Sequence, residues 1–484
     1  MFLHEIYKHG NPDHVAFCGK ANATYGELER FVDLYRNELY SLGVREGNKV
    51  GLYCGNCAEF VYAYMAVVSL GGIIVPINNS LIGREVDYIL DDSEAIFVIS
   101  DKNLDIKNKL VDIHVLDSDA RSEKSPKAPD FPSDLTEDDV CTFVYTSGTT
   151  GAPKGAMLSH KNLIRNAQQA NMVVIHYPED NTLCVLPMFH CYGWTLSVIN
   201  PLLQGCTITV LNTKNPAEIL RSIEKYKVTT AFMVPPIYNL MARKSNPDPV
   251  KTVRLFVSGG ACLPQPVAQA FFEAYGHPVI EGYGLTEASP VCSVLPPDQP
   301  KYLTCGKAIP GVEAKIHTDD DTKPYKPGVV GELWIRGDNV MKGYWKCEKE
   351  TRETITKDGW LRTGDIAYMD KEGYIYIVDR IKDMIIVNGE NVYPREVEER
   401  IYELKDVGEC AVVGHPDAKR GETVWAYIVM KEGETFDEDK IRGYLLKNLA
   451  PFKVPHRFIP LDELPKNPTG KILKRVLRDR DNDI

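Results

Sequence analysis

A loop of glycine, serine and threonine, YTSGTTGAPKG at positions 145–155, constrains the fold of this chain more than any other segment. It follows an apolar run of β-forming residues, VCTFVY at 140–145, so it is predicted to begin at the end of a strand. Its glycines allow positive φ and bring backbone N–H groups against an anion, while its hydroxyls and lysine add further donors. The residues expected around polyphosphate oxygens are Thr146, Ser147, Gly148, Thr149, Thr150 and Lys154. The segment therefore predicts a nucleotide-binding loop mounted on a sheet.

The familiar nucleotide motifs do not account for this loop. Each Gly-Lys pair, at 19–20, 306–307 and 470–471, is followed by alanine or isoleucine, whereas a Walker loop needs serine or threonine there. The nearest Rossmann-like segment, GYGLTE at 282–287, places Glu287 where a third glycine should pack against a helix. No G-x-S-x-G elbow or H-E-x-x-H helix is present in the sequence. The pattern predicts a different nucleotide-using architecture.

Strand-like and helical segments alternate along the first three hundred residues, which predicts an α/β body with largely parallel sheets. The predicted strands are Lys49–Tyr53, Ile96–Ser100, Val140–Tyr145, Leu183–Leu186, Thr207–Leu211, Thr229–Val234, Arg254–Ser258 and Pro278–Glu281, and the predicted helices include Thr24–Gly43, Pro216–Tyr226 and Gln265–Tyr275. From about Gly311 the pattern becomes β-rich with glycine turns, and a small α+β unit follows a charged segment at Asp379–Asp383. We therefore expect a large N-terminal domain, 1–379, with a small β-subdomain, and a small C-terminal domain, 380–484.

Composition and charge narrow the class of protein. A net charge of −11 over 484 residues disfavours nonspecific binding to nucleic acid, which needs basic patches. No cationic start followed by an apolar stretch suggests a signal peptide, and the most apolar run, Val61–Ile77, is broken by glycines and a proline. Twelve scattered cysteines are typical of reduced thiols, and we interpret Cys54-Gly-Asn-Cys57 as structural because no second pair or histidine set accompanies it. We expect a cytoplasmic protein without a membrane span.

Seven segments in order resemble the ANL superfamily of adenylate-forming enzymes, which contains acyl-CoA synthetases, peptide-synthetase adenylation domains and luciferases. They are YTSGTTGAPKG (145–155), PMFH (187–190), SGGA (258–261), GYGLTE (282–287), TGD (363–365), DRIKDMIIVNGENVYPREVE (379–398) and NPTGKILKR (467–475). The resemblance implies a two-step reaction. A carboxylate attacks the α-phosphorus of ATP to give an acyl-adenylate and pyrophosphate, and a thiol then displaces AMP to form a thioester.

The resemblance also implies roles for individual residues. Besides the loop, the expected nucleotide-binding residues are Gly260, Ala261, Gly282, Tyr283, Gly284, Asp365 and Arg380. Glu287 is the expected Mg²⁺ ligand and Thr286 the expected partner of the α-phosphate, while Lys471 would stabilise the transition state of the first step. Lys382 would be the hinge of a mobile C-terminal domain, after whose rotation Asn388, Gly389 and Glu390 would line the path of coenzyme A. The expected acyl-binding residues are His190, Tyr192, Trp194, Thr195, Gly259 and Gly284, and His190 would also act near the reacting carboxylate.

The choice of acid and thiol is left open by the sequence. The closing segment at 449–475 looks most like coenzyme A ligases of fatty acids, and no acidic residue for an amino group follows the strand at Met233–Pro236. Ile386 stands where coumarate ligases and luciferases tend to carry lysine. We therefore expect a medium- or long-chain fatty acid first, and an aryl acid such as a cinnamate or benzoate second. An acyl carrier protein is the alternative acceptor of the acyl group, and a non-catalytic sensor of nucleotide or acyl-CoA is the alternative function. A homodimer is a further possibility.

Overall fold

The structure, a computed structural model, describes most of the chain. The described residues are 1–19, 22–107, 112–115, 125–146, 152–244, 246–299, 301–318, 326–417, 419–467 and 470–480. Four residues of the predicted phosphate loop, Ser147, Gly148, Thr149 and Thr150, lie outside them.

Strands and helices alternate through the first three hundred residues, as the sequence predicts. The strands are β1 (Val15–Gly19), β2 (Ala23–Thr24), β3 (Lys49–Tyr53), β4 (Ile73–Ile77), β5 (Ala95–Ser100), β6 (Asp112–Val115), β7 (Val140–Thr146), β8 (Lys154–Ser159), β9 (Asn181–Cys184), β10 (Thr207–Val210), β11 (Thr230–Met233), β12 (Leu255–Ser258), β13 (Val279–Gly284), β14 (Val291–Val294), β15 (Lys307–Ala308), β16 (Val312–His317), β17 (Gly331–Gly337), β18 (Gly343–Tyr344), β19 (Leu361–Met369), β20 (Ile375–Arg380), β21 (Ile385–Val387), β22 (Glu390–Val392), β23 (Val407–Asp417), β24 (Gly421–Met430) and β25 (Arg457–Pro460). The helices are α1 (Tyr25–Ser41), α2 (Ala58–Ser69), α3 (Gly83–Ser93), α4 (His160–Asn171), α5 (Cys191–Trp194), α6 (Asn200–Gln204), α7 (Pro216–Tyr226), α8 (Pro235–Ala242), α9 (Gln265–Tyr275), α10 (Glu348–Thr354), α11 (Pro394–Tyr402), α12 (Glu438–Asn448) and α13 (Lys474–Asp479).

Two mainly parallel sheets form the N-terminal body. In the first, the strand order is β15-β14-β13-β12-β11-β9-β10-β1-β2, with β9 to β13 and β1 parallel and the edges antiparallel. In the second it is β18-β8-β7-β4-β3-β5-β6, where β8 runs antiparallel to both of its neighbours, β18 and β7, and the other neighbouring strands are parallel. Helix α2 is buried over nearly its whole length because its side chains are apolar on every face.

Two smaller β-units follow. The order β16-β17-β19-β20 gives an antiparallel sheet, and β22-β21-β24-β23, with β25 parallel on β24, forms a sheet that packs against α11 and α12. The latter has its own buried core, which includes Ile385, Val397, Ile401, Val424 and Leu445. The predicted α/β fold class, with a large N-terminal part and a smaller α+β C-terminal part, is confirmed. The boundary at 379/380 stays a prediction.

Local signals predicted most element bounds well. Thr24 caps α1 through a capping box with Glu27, and α7 and α9 have the predicted bounds. The strand predicted at Leu183–Leu186 instead spans Asn181–Cys184. Asn181 is tolerated inside the ladder because its side-chain amide donates to the carbonyl of Tyr226, whereas the Leu186 carbonyl accepts from a side chain and not from a strand neighbour.

Candidate active site

Two antiparallel strands flank the predicted phosphate loop in sequence. Strand β7 ends at Thr146, which pairs in antiparallel register with Lys154 at the start of β8. Nζ of Lys154 lies 3.7 Å from Oε1 of Glu350 and 5.6 Å from the ring centroid of Tyr344. Tyr145, near the end of β7, donates a 2.5 Å hydrogen bond to Asp92. The lysine is thus held at a strand end and lies near Tyr344.

Glu287 and Thr286 lie on a 3₁₀ turn, Thr286–Ala288, just after β13. The hydroxyl of Tyr344 donates to Oε1 of Glu287 at 2.7 Å, and Oγ1 of Thr286 lies 3.3 Å from Sγ of Cys191. Glu287 is half-buried. Within the described part of the chain, no cluster of three or more His, Cys, Asp or Glu side chains could hold a metal ion. A single carboxylate suits Mg²⁺, which binds through one or two carboxylates together with substrate phosphates and water.

Asp365 connects three elements of the site. It is buried and pairs in register with Arg380 across β19 and β20, with Oδ1 3.2 Å from Nε of Arg380. Its other oxygen accepts a 2.5 Å hydrogen bond from the hydroxyl of Tyr283 on β13. The aromatic ring of Tyr283 and the Asp365–Arg380 pair are therefore brought together. Burial, followed by the charge of Asp365, raises the pKa of the Tyr283 hydroxyl, so it stays a hydrogen-bond donor.

Lys471 lies beside this pair although it is more than ninety residues away in sequence. Its loop is closed by Asn467, which accepts from the Lys471 backbone N–H at 2.8 Å. Gly470, at φ +85°, packs that loop on the segment after β11, because a Cβ there would lie 3.4 Å from Pro236. No hydrogen-bond or ion-pair partner of Nζ is found among the residues that the structure describes. Burial first, and then the nearby charge of Arg380, lower the pKa of Lys471 to about 8.

His190 faces the same region. Burial first, and then the charge of Lys471, lower the pKa of His190 to about 4, so its imidazole is neutral at pH 7. Nδ1 accepts from the backbone N–H of Tyr192 at 3.2 Å. The ring proton of this neutral imidazole is therefore assigned to Nε2, which has no hydrogen-bond partner in the described part of the chain and can donate to an anion.

The predicted acyl-binding residues fall into two environments. The ring of Tyr192 fills the space beside Gly259, where a Cβ would lie 3.0 Å from Cζ of Tyr192, and its hydroxyl donates to the carbonyls of Met233 and Val257, each at 3.3 Å. Trp194 and Thr195 lie deeper. Trp194 packs on Tyr64 at a ring-centroid distance of 4.1 Å, and Thr195 donates to the carbonyl of Ser289 at 2.9 Å. The structure thus places Tyr192 at the strand ends of the first sheet and the other two in packed interior.

The small residues of the predicted site lie at the ends of β12 and β13. Gly260, at φ +78°, and Ala261 are exposed just after β12, while Gly282 and Gly284 flank Tyr283. A Cβ at Gly284 would lie 2.1 Å from the carbonyl oxygen of Pro290, so only glycine fits there. These residues give an open edge next to Asp365.

The predicted hinge and thiol-path residues lie at the start of the C-terminal unit. Lys382 is in a 3₁₀ turn, Ile381–Asp383, directly after Arg380. Asn388 and Gly389, at φ +53° and +85°, form the predicted turn of the hairpin β21–β22, and Glu390 begins β22. All three tip residues are exposed.

Sequence reasoning missed Tyr344 and Cys191, which contact the two functional residues of the 3₁₀ turn. Tyr344 reaches Glu287 because β18 pairs with β8, a contact between segments nearly two hundred residues apart. No local pattern reports such a pairing. Cys191 follows His190 directly, so its position next to the PMFH segment was the available signal.

Comparison with known proteins gives the family. Residues 5–345 match the family described as AMP-binding enzyme, and residues 396–471 match the AMP-binding enzyme C-terminal domain. The chain belongs to the AMP-binding enzyme family. It is thus an adenylate-forming enzyme of the AMP-forming acyl-CoA ligase type, as the seven segments implied.

Relatives of this AMP-binding enzyme act on different acids. It is 34% identical to a long-chain-fatty-acid–CoA ligase of Bacillus subtilis (strain 168), over 91% of this chain and 87% of the relative. It is also 34% identical to a feruloyl-CoA synthase of Amycolatopsis sp, over 96% of this chain and 94% of the relative. ATP-bound MatB from Rhodopseudomonas palustris superposes with a TM-score of 0.92 at 30% identity, covering 100% of this chain and 99% of that one. The apo form of the same protein gives a TM-score of 0.79, over 99% of each chain at 30% identity. Among the described residues, this enzyme has no helix that is both long and apolar enough to cross a membrane.

Proposed function

We propose that this enzyme activates a medium- or long-chain fatty acid with ATP to acyl-AMP and then transfers the acyl group to coenzyme A, releasing AMP and pyrophosphate. The observation that carries the proposal is the position of Lys471. A lysine from the terminal loop lies with Arg380, Asp365 and His190, groups contributed by other elements, and its ammonium has no partner of its own among the described residues.

The charges of this group favour a polyphosphate substrate. Arg380 and Lys382 lie close enough to Lys471 for their positive charges to lower its pKa. The negative charges of Asp365 and Asp383 offset this effect only in part. Cations held together in a half-buried site repel one another until an anion binds. ATP would supply that anion, and Lys471 would then stabilise the charge that develops on the α-phosphate and acyl oxygens.

The other residues would bind and orient the substrates. Asp365 would accept from the ribose hydroxyls with Arg380 beside it, and Tyr283 would pack against adenine. Lys154 and the rest of the predicted loop at 146–154 would hold the β- and γ-phosphates, with Thr286 on the α-phosphate. Glu287, oriented by Tyr344, would be a ligand of Mg²⁺, which when bound neutralises charge on the phosphate oxygens. Neutral His190 would donate from Nε2 to the acid's carboxylate and exclude water from it.

The second step would need a rearrangement of the C-terminal unit. We propose that residues 380–484 rotate as a body about Lys382 relative to residues 1–379, which withdraws Lys471 and brings Asn388–Glu390 to the site to guide coenzyme A. The higher TM-score with ATP-bound than with apo MatB supports an arrangement here that suits the first step.

The apolar surroundings of His190 support a hydrocarbon acid. The neighbours of His190 in sequence, Met188, Phe189, Cys191 and Trp194, are apolar, and all of them are buried except the half-buried Phe189. The segment after β11, Val234–Pro236, offers no carboxylate for an amino group. The likeness to a long-chain-fatty-acid–CoA ligase agrees with this assignment.

An aryl acid is the second candidate, because Tyr192 presents an aromatic ring beside Gly259 and feruloyl-CoA synthase is equally similar. A carrier-bound phosphopantetheine as the acceptor, and a homodimer, stay predictions. A non-catalytic sensor is disfavoured by the placement of Lys471, since a sensor has no need of a cation at the point of adenylate transfer.

The test is ATP–pyrophosphate exchange with saturated fatty acids of increasing length, cinnamates and benzoates, followed by mass spectrometry of the products formed with coenzyme A. We expect exchange and acyl-CoA formation to be strongest with fatty acids. A preference for cinnamates would replace the fatty acid by the aryl acid, and exchange with no acid would favour the sensor.

A further inference from the structure

Two cysteines that the activation chemistry does not use lie in contact at a strand-to-helix junction. Cys54 directly follows β3, Cys57 is the N-cap residue of α2, and β4 returns parallel to β3. Their sulfur atoms are 3.3 Å apart. A C-x-x-C pair in such a βαβ unit has the placement of a redox-active dithiol.

The two thiols differ in access. Cys54 is buried, whereas Cys57 is half-buried and reaches solvent. The hydrogen bond with Cys57, followed by burial, raises the pKa of the Cys54 thiol, so Cys54 keeps its proton while Cys57 is intact. This arrangement makes Cys57 the attacking sulfur and Cys54 the resolving one.

Asn56, one of the two residues between the cysteines, connects them to the active site. Nδ2 of Asn56 donates to the carbonyls of Leu186, at 2.8 Å, and Leu211, at 3.0 Å, and its Oδ1 accepts from the backbone N–H of Met188 at 2.9 Å. These bonds hold the segment on both sides of Pro187, whose carbonyl accepts from the backbone N–H of His190 at 3.1 Å. Asn56 lies between β3 of the second sheet and α2, and it therefore positions the PMFH segment, which follows β9 of the first sheet.

The loop has little room to absorb a change in the distance between the sulfurs. The N–H of Gly55 donates to Asp101 at 2.9 Å, and a Cβ at Gly55 would lie 2.8 Å from the side chain of Asn212. A disulfide needs the sulfurs at about 2 Å, so its formation draws the two ends of the 54–57 unit together by roughly 1 Å. Asn56 lies in the middle of that unit.

We propose that Cys54 and Cys57 form a reversible disulfide that loosens the hold of Asn56 on the PMFH segment and so lowers the rate of acid activation. The thiolate of Cys57 attacks a small-molecule disulfide, RSSR, to give Cys57–S–SR and release RS⁻. The thiolate of Cys54 then attacks the Cys57 sulfur and releases the second RS⁻. In sum, two thiols and RSSR give one protein disulfide and two RSH, and a dithiol reductant reverses it. The effect on activity rests on the function proposed above, but the formation of the bond does not.

The test equilibrates the full-length enzyme with reduced and oxidised glutathione in a series of ratios. After an acid quench and alkylation, peptide mass spectrometry locates the disulfides, while hydrogen–deuterium exchange follows the backbone at 184–192. We expect a Cys54–Cys57 bond, faster exchange at 184–192, and ATP–pyrophosphate exchange that falls on the order of tenfold or more, the size expected when a positioned group is displaced. Dithiothreitol should restore all three.

Two variants serve as controls. Cys57→Ser should keep the activity of the reduced enzyme and lose the response to glutathione, and Cys57→Ala replaces it if the serine variant folds poorly. Cys18→Ser, which changes a cysteine of similar burial outside the pair, should keep the response. A glutathione adduct at Cys57 without the internal bond would overturn the proposal, as would the bond with unchanged backbone exchange at 184–192. Absence of activity with every acid would count against the proposed function alone, because the disulfide and the backbone exchange need no substrate.

Discussion

The hydroxyl of Tyr344 donates a 2.7 Å hydrogen bond to Oε1 of Glu287, and its ring lies 5.6 Å from Nζ of Lys154. One side chain therefore contacts both the carboxylate proposed to bind Mg²⁺ and the lysine of the phosphate loop. Glu287 lies on the turn that follows β13, and Lys154 begins β8, a strand of the other sheet, so Tyr344 fixes the distance between parts of the site that share no local structure.

Tyr344→Phe removes that hydrogen bond and keeps the ring. We expect the Mg²⁺ concentration for half-maximal ATP–pyrophosphate exchange to rise about tenfold, because a hydrogen bond to a charged group contributes roughly 1.5–3 kcal/mol. Tyr302→Phe, at an exposed tyrosine, is the matched control and should change nothing. An unaltered Mg²⁺ dependence in Tyr344→Phe would remove Glu287 from the metal site.

Lys471→Ala should separate the two half-reactions. We expect ATP–pyrophosphate exchange to fall on the order of 10²–10³-fold, the range for loss of one group that stabilises transition-state charge. Thioester formation from supplied acyl-adenylate should be nearly unchanged, since the lysine is proposed to leave the site before that step. Lys466→Ala is the control, because Lys466 precedes Lys471 by five residues and forms an ion pair with Glu409 of β23. It should affect neither half-reaction. Equal loss of both half-reactions in Lys471→Ala would contradict the proposed rotation.

The pH dependence of the first half-reaction follows from the same lysine. Burial and then Arg380 lower the pKa of Lys471 to about 8, and the active form is the protonated one. Therefore kcat/KM for adenylation, which reports the free enzyme, should be lost as pH rises through about 8. Lys471→Arg should lower the rate and move that limb to higher pH, because a guanidinium keeps its charge. A limb that stays in place in Lys471→Arg would assign it to another group.

Features of the fold that depend on neighbours in sequence were predicted, whereas features that depend on long-range packing were not. The capping box at Thr24, the turn at Asn388-Gly389 and the apolar run before the phosphate loop each depend on neighbours in sequence, and each was predicted correctly. Periodicity could not separate Tyr192, at the strand ends, from Trp194 and Thr195 in packed interior, since all three share one apolar segment. The contact of Glu287 with Tyr344 depends on the pairing of β18 with β8, which no local pattern encodes.

Acid should destabilise the fold through its buried histidines. Burial is the largest cause that lowers the pKa of His176 to about 4, that of His160 to about 4 and that of His4 to about 3. The unfolded chain binds these protons near pH 6.5 and the folded chain only near pH 3 to 4, so between these values the unfolded state holds more protons. These groups' contribution to stability is therefore present above about pH 6.5 and is lost as pH falls toward 4.

His176→Asn tests this at one position. It should lower the slope of unfolding free energy against pH between about pH 6.5 and 4, by up to the one proton that His176 no longer takes up on unfolding. The measurement is chemical denaturation at several pH values, and His456→Asn, at an exposed histidine, is the control. An unchanged slope in His176→Asn would mean that another group sets the acid limit.

Gly259→Ala should alter the choice of acid through Tyr192. A Cβ at Gly259 would lie 3.0 Å from Cζ and 3.2 Å from the hydroxyl oxygen of Tyr192, and that hydroxyl is held by the carbonyls of Met233 and Val257. The added methyl is therefore expected to shift the ring of Tyr192 and to narrow the space for the acid that we propose it borders. We expect KM to rise about tenfold for long acids, less for short ones, and not at all for ATP, because displacement of a few methylenes from an apolar pocket changes binding by roughly 1–3 kcal/mol. Gly443→Ala, where a Cβ meets nothing within 4 Å, is the control. If KM for every acid in a homologous series rose equally, Tyr192 would not border the hydrocarbon chain.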